Sequence, residues 1–214
     1  MSWKENRQIL WAAAQDRHQG ALKIRPKSEW AWAWKTLRWL LNALNWIVSL
    51  GKRQGIDLYD GSYTTGFKTL WVPSDGASWE SLPEHEKYNV LSHEIDHFDQ
   101  GFFGDHTLQD KPEWDYSRKP SALRMIWHGV KYLLSFSYRR QVEAWGYERN
   151  MRVEIILNKG SVPGTFKQWM RSHFVGSKYF YMANEAQFEA LYADMLNRTT
   201  RAYTYGHLNH MKPE

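Results

Sequence analysis

The sequence contains no cysteine, which excludes disulfide bonds and thiolate metal sites. Any bound metal ion must therefore be held by imidazole and carboxylate groups. The nine His and 23 Asp and Glu side chains supply enough of both. The first residues, MSWKENRQ, also lack the apolar run and cleavage site of a signal peptide.

A long uninterrupted hydrophobic run is absent as well. The most apolar segment, WAWAWKTLRWLLNALNWIVSL at 30–50, is interrupted by Lys35, Arg38, Asn42 and Asn45. We expect it to form a helix packed on the domain, with a partner-binding helix as the alternative. Membrane association is not expected.

The sequence also lacks a continuous stripe of basic residues. The formal net charge is +5, and the basic clusters, such as that around Lys23 and Arg25, are short and scattered. Nucleic-acid binding is therefore not expected.

The sequence predicts one mostly helical α+β domain that spans 1–214. With 43% hydrophobic and 24% charged residues, the chain has a globular composition. Apolar periodicity predicts helices over 4–19, 29–50, about 81–100, 121–157 with a bend near SFSYRR, and two more in 165–214, the clearer at 184–198. The segment KTLWV predicts a short strand in a small hairpin or edge sheet within 55–73.

The segment VLSHEIDHFDQ carries the main chemical signal. On a helix, His93 and His97 lie one turn apart on the same side, where they can bind one metal ion between them, with Glu94 beside it. Apolar residues form a separate stripe on this helix, namely Leu91, Ile95, Phe98 and Phe102. The histidines therefore occupy a polar face rather than the core face.

A catalytic zinc usually takes three protein ligands and a water, so a third ligand is needed. The pattern HExxHxxGxxH fails here, because the sequence has Gln100 and Phe103 in place of Gly and His. Glu143, in RRQVEAWGYE, is the preferred ligand, since Ala144 and Gly146 permit close helix packing and arginines precede it. Alternatives are Glu148, Glu154, Asp99, Asp105 and His106.

Together, VLSHEIDHFDQ and RRQVEAWGYE resemble the zincin superfamily of metallopeptidases in its glutamate-liganded gluzincin form, most closely small zincins encoded by bacteriophages. The resemblance implies Zn²⁺ bound by His93, His97 and Glu143. It also implies hydrolysis of a peptide or protein substrate by a metal-activated water, with Glu94 as the base.

Further roles follow from the same resemblance. Tyr147 is a candidate oxyanion donor, with His128, His173, His207 and His210 as weaker ones. Asp96 is a candidate for orienting a ligand histidine. The KTLWV strand is expected to pair with an extended substrate as an edge strand.

The expected organisation is Trp-rich N-terminal helices at 1–50, a metal-site core at 51–158 and a helical extension at 159–214. The alternative function is a phage virion structural or interaction protein, in which the metal site is stabilising or vestigial. The N-terminal helix and C-terminal tail would then contact other subunits. The host cytoplasm and the virion are the two locations considered.

Overall fold

The structure is a computed structural model that describes residues 1–48, 63–66, 68–103, 121–176 and 182–212. It is mostly helical with one small sheet, as predicted. The helices are α1 (Trp3–Arg17), α2 (Ala31–Val48), α3 (Ala77–Ser81), α4 (Glu84–Phe103), α5 (Ala122–Leu134), α6 (Phe136–Leu157), α7 (Gly164–Phe174) and α8 (Glu185–Thr204). The strands are β1 (Lys23–Pro26), β2 (Thr64–Gly66) and β3 (Thr69–Val72), and short 3-10 turns cover Lys27–Trp30 and Asn209–Met211.

The sheet corrects one prediction. In the strand order β1-β3-β2, β3 is central, parallel to β1 and antiparallel to β2. The segment predicted as an edge strand is therefore paired on both sides, and it cannot accept an extended substrate. The parallel partner comes from 23–26, which was predicted to be a connection between two helices.

Helix α4 lies at the centre of the fold. Its predicted apolar stripe, including Leu91 and Phe98, packs with Leu70 and Val72 of the sheet and with Ala14 of α1. From Leu91 to Phe103 every side of α4 is buried, because α5 and α6 cover the remaining faces. The polar face is thus present as predicted, but it is buried inside the protein.

The bounds of α4 differ from the prediction at both ends. Ser81 closes α3 and donates its hydroxyl to the Ser78 carbonyl, so α4 begins after Pro83 at Glu84. At the other end α4 continues through Gly101 to Phe103. A Cβ at Gly101 would lie 2.1 Å from Met125 Sδ, so this glycine permits the close approach of α5 rather than ending the helix.

The bend predicted near SFSYRR is the junction between α5 and α6. Ser135 adopts an extended conformation and its hydroxyl accepts the Tyr138 backbone N–H, capping α6. Helix α6 then packs along α4 on one side and α8 on another. A second core joins α6 to α7 and α8 through buried side chains that include Met151, Phe174 and Phe188.

No helix within these described ranges is both long and apolar enough to cross a membrane. The segment 104–120 and nine of the 19 residues of the predicted hairpin segment 55–73 lie outside the described residues.

Candidate metal centre

The site forms where one face of α4 meets one face of α6. His93, His97 and Gln100 follow each other at helical spacing on α4. Glu143, Gly146 and Asn150 do the same on α6. Because these two helices make the most extensive helix contact in the described fold, the two polar rows are held opposite each other.

The three predicted ligands converge at this contact. The Nε2 atom of His93 lies 3.5 Å from Glu143 Oε2, and that of His97 lies 3.7 Å from Glu143 Oε1. One ligand atom from each residue lies within 4.8 Å of the others. Tetrahedral ligands about 2.1 Å from a zinc ion lie roughly 3.4 Å apart, so only small side-chain movements separate this arrangement from a coordinated one.

The donor set also fits a cation chemically. Glu143 Oε2 is buried and has no hydrogen-bond partner among the described residues. A buried carboxylate oxygen without a donor is costly unless a cation meets it. The histidine side chains remain 10% and 11% exposed while that of Glu143 is 3% exposed, so access to the site is from the histidine side.

A hydrogen-bond chain fixes the His93 ring. Asn150 Nδ2 donates to the Asn89 carbonyl at 3.1 Å, which orients the Asn150 amide so that its Oδ1 faces His93 Nδ1 at 2.8 Å. In the neutral imidazole the proton must then lie on Nδ1, since an amide oxygen only accepts. In this neutral form the lone pair of His93 lies on Nε2, the atom that faces Glu143.

His97 is oriented in a similar way from its own helix. Its Nδ1 lies 3.2 Å from Gln100 Oε1, one turn further along α4. This contact again favours a proton on Nδ1 and a lone pair on Nε2. The His93 and His97 rings lie 4.8 Å apart between centroids and nearly perpendicular, at 80°.

Glu143 is held by a residue that the sequence did not single out. The Tyr132 hydroxyl, from α5, donates a short hydrogen bond to Glu143 Oε1. Arg139 Nε in turn donates to the Tyr132 backbone carbonyl at 2.8 Å and fixes the end of α5. Of the two arginines that precede Glu143, Arg139 thus contacts Tyr132, while Arg140 contacts the Met182 carbonyl and Gln187.

Gly146 brings α6 against the imidazole. A Cβ on this residue would lie 2.6 Å from His93 Cε1, closer than real Cβ contacts allow. The predicted role of Gly146 in close helix packing is confirmed. Tyr147, the next residue, packs its ring edge-on against His93 with centroids 5.0 Å apart.

Tyr147 itself is 2% exposed and belongs to the core between α6, α7 and α8. Its ring supports His93 from the packed side, and His173 lies beyond it at 5.7 Å between ring centroids. Its role as an oxyanion donor stays a prediction. The tyrosine whose hydroxyl reaches a ligand carboxylate is Tyr132.

The pKa values of His93 and Glu143 are shifted by their charged neighbours. Burial lowers the pKa of His93, but the Glu143 and Glu94 carboxylates outweigh it and raise that pKa to about 9. Burial raises the pKa of Glu143, yet the imidazoles of His93 and His97 reverse this and lower it to about 2. Both shifts therefore favour an ionised Glu143 that faces a positively charged group.

Glu94 lies beside this group without belonging to it. It is buried, and that burial raises its pKa, against the opposing effect of His97, His93 and the more distant Lys27. A carboxylate with a raised pKa next to a metal position is suited to proton transfer.

Most of the alternative candidates have other partners. Asp99 binds Arg17 and His18, Asp96 binds Arg149, and Glu148 binds Arg152 and Arg198. Glu154 contacts Asn158, and His128 contacts Tyr138. Asp105 and His106 lie outside the described residues.

The residues missed from sequence are Asn150, Gln100 and Tyr132. The first two do carry a signal, because each lies on the same helical face as a predicted ligand. Tyr132 carries none, since its contact depends on how α5 folds back on α6.

Comparisons with known protein families, curated proteins and solved structures find nothing that matches this chain.

Proposed function

We propose that this protein is a zinc-dependent hydrolase of peptide bonds. The observation that carries the proposal is the convergence of His93 Nε2, His97 Nε2 and the Glu143 carboxylate in one buried group, with Glu94 adjacent. Two imidazoles and one carboxylate form a set that zinc binds in hydrolytic enzymes.

The composition of the group favours zinc over harder or softer cations. Magnesium and calcium prefer a shell of oxygen ligands, whereas imidazole nitrogen suits zinc and other late transition metals. Thiolate ligands are absent from the whole chain. Three protein ligands also leave a fourth position open, which is typical of catalytic rather than structural zinc.

A bound Zn²⁺ would supply Lewis-acid polarisation of the substrate carbonyl and a lowered pKa for water. Glu94 then accepts the proton of the attacking water and passes it to the leaving amine. The burial that raises the Glu94 pKa suits a group that must take up and release a proton in one cycle.

The other residues act by positioning. Asn150 and Gln100 hold the two imidazoles with Nε2 directed at Glu143. Tyr132 holds one oxygen of Glu143 by donating its hydroxyl proton to it.

The test is hydrolysis of a mixed peptide library by the zinc-loaded chain, comparing Glu94→Gln with Glu86→Gln. Glu86 is exposed on the first turns of the same helix, so its substitution controls for the loss of a carboxylate. We expect Glu94→Gln to keep zinc and to lose activity by roughly 100-fold or more. Glu86→Gln should behave as the unsubstituted chain.

Two results would overturn the proposal separately. Undiminished hydrolysis by Glu94→Gln would remove its role as the base. A chain that carries stoichiometric zinc and cleaves no peptide bond in the library would leave a metal site without peptidase function.

A further inference from the structure

Helix α5 exposes its apolar side. Five large apolar side chains at helical spacing are between 37% and 79% exposed: Leu123, Ile126, Trp127, Val130 and Leu134. At about 100° per residue they occupy an arc of roughly 100° along the helix. We call this surface the α5 stripe.

The opposite face of α5 contacts the protein, and it carries polar groups. His128 is hydrogen-bonded to the Tyr138 hydroxyl at 2.8 Å, and Tyr132 donates to Glu143. Met125 fits against Gly101 of α4. The face of α5 that contacts the protein is therefore polar, and within the described residues the α5 stripe is exposed instead of forming part of a core.

Positive charge runs along one flank of the stripe. Arg124 and Lys131 lie about 20° apart around the helix, directly beside the apolar arc. Arg124 donates to the carbonyls of Phe102 and Phe103, and Lys131 lies 4.5 Å from the centroid of the Tyr138 ring. Both charges are thus held at fixed positions next to the stripe.

Negative charge is absent from the same part of the sequence. No Asp or Glu occurs in 116–142, which contains α5 and several Arg and Lys residues. The segment 30–56 is also free of acidic residues, and there Trp32 and Trp39 of α2 are 74% and 71% exposed. The two helices that expose the most apolar surface therefore lie in the two acid-free segments of a chain with net charge +5.

We propose that the α5 stripe docks on an anionic lipid surface. Apolar side chains with a Trp on one face and cationic groups on the flank are the features of helices that lie in the membrane interface. The acid-free segment complements anionic headgroups. This proposal is independent of the hydrolytic function.

The test is co-sedimentation of the full chain with vesicles of phosphatidylcholine alone or with about one third phosphatidylglycerol. Ile126→Ser combined with Trp127→Ser removes two stripe side chains that are each more than half exposed. Ile9→Ser combined with Tyr205→Ser removes exposed side chains from α1 and from the end of α8 as a matched control. Circular dichroism and zinc content verify that both variants are folded.

We expect binding to the anionic vesicles, weakening as salt is raised, and at least about a tenfold loss in the stripe variant alone. Absence of binding to anionic vesicles overturns the proposal. Equal binding to neutral vesicles, or equal loss in the control, also overturns it. Sedimentation velocity provides a further check: a dimer that the stripe variant converts to monomer would assign the stripe to a second copy of this chain instead.

Discussion

Gly146 sets how closely α6 can approach the histidine helix. Its missing side chain leaves space for the His93 ring, whose Cε1, Nδ1 and Nε2 atoms would lie 2.6–2.7 Å from a Cβ there. The ring is held on its other sides by Tyr147 and Asn150, so it has little freedom to move away. The geometry of the metal centre therefore depends on this glycine.

We predict that Gly146→Ala lowers the free energy of unfolding by about 1–3 kcal/mol through overpacking. It should also weaken zinc binding at least about tenfold, because His93 must shift. Urea unfolding and zinc titration measure the two effects. Gly129→Ala is the matched control: a Cβ there meets nothing within 4 Å, so it should leave zinc binding unchanged. Equal behaviour of the two variants would refute the packing argument.

Tyr132 gives a second prediction at the residue scale. Tyr132→Phe removes the hydroxyl that orients Glu143 Oε1 while keeping the ring. Zinc affinity should fall by about 10-fold to 100-fold, as for other residues that orient metal ligands, with little change in the circular dichroism spectrum. Tyr138→Phe is the control, because its hydroxyl contacts His128 instead. If both variants bind zinc as tightly as the unsubstituted chain, Tyr132 does not position the carboxylate.

At the scale of elements, α1 is tied to α4 by a buried charged group. Asp99 is 1% exposed and lies 2.8 Å from His18 Nε2 and 3.0 Å from Arg17 Nη2. The His18 ring packs edge-on against Phe102 in the core. These contacts place the end of α1 on the side of α4 that faces the sheet, away from the candidate ligands His93 and His97.

We predict that Asp99→Asn lowers the free energy of unfolding by about 2 kcal/mol, because a buried acceptor of two charged or polar donors is replaced. Zinc stoichiometry should not change. Denaturant unfolding and metal analysis check both statements, with the exposed Asp16→Asn on α1 as control. Loss of zinc without loss of stability would instead make Asp99 a ligand.

The elements that sequence predicted are those with a clear local pattern. The stripe of α4 and the apolar residues of KTLWV specify their own conformation, so both were found. Strand β1 was missed because Lys23–Pro26 is charged and contains a proline, and it becomes a strand only by pairing with the distant β3. The strong amphipathicity of α5 is visible in the sequence, but a pattern alone does not tell which face is turned inward.

The same distinction applies to the candidate site. His93 and His97 could be predicted from their spacing on the helix, and Glu143 could be predicted from the small residues beside it. Tyr132, in contrast, reaches Glu143 only because Ser135 interrupts the helix and lets α5 fold against α6. Contacts that depend on the path of the chain between elements have no periodic signature.

At the scale of the whole molecule, the candidate metal centre lies where α4 and α6 meet. Helix α4 belongs to the core built with α1 and the sheet, and α6 belongs to the core built with α7 and α8. The two helices also share a third cluster, which includes Tyr88 of α4 and Val153 of α6, so a bound metal would add one further link between them. Its contribution to stability would depend on free metal concentration, as for any ligand that binds only the native state.

The central claim is that His93, His97 and Glu143 bind one metal ion together. Isothermal titration of the metal-free chain with Zn²⁺ tests it most directly, comparing Glu143→Gln with Glu154→Gln. Both residues lie on α6, but Glu154 contacts Asn158 and is remote from the histidine pair. The unsubstituted chain and Glu154→Gln should each bind about one Zn²⁺, and Glu143→Gln should bind at least roughly 100-fold more weakly. Equal zinc affinity and stoichiometry in all three proteins would contradict the claim.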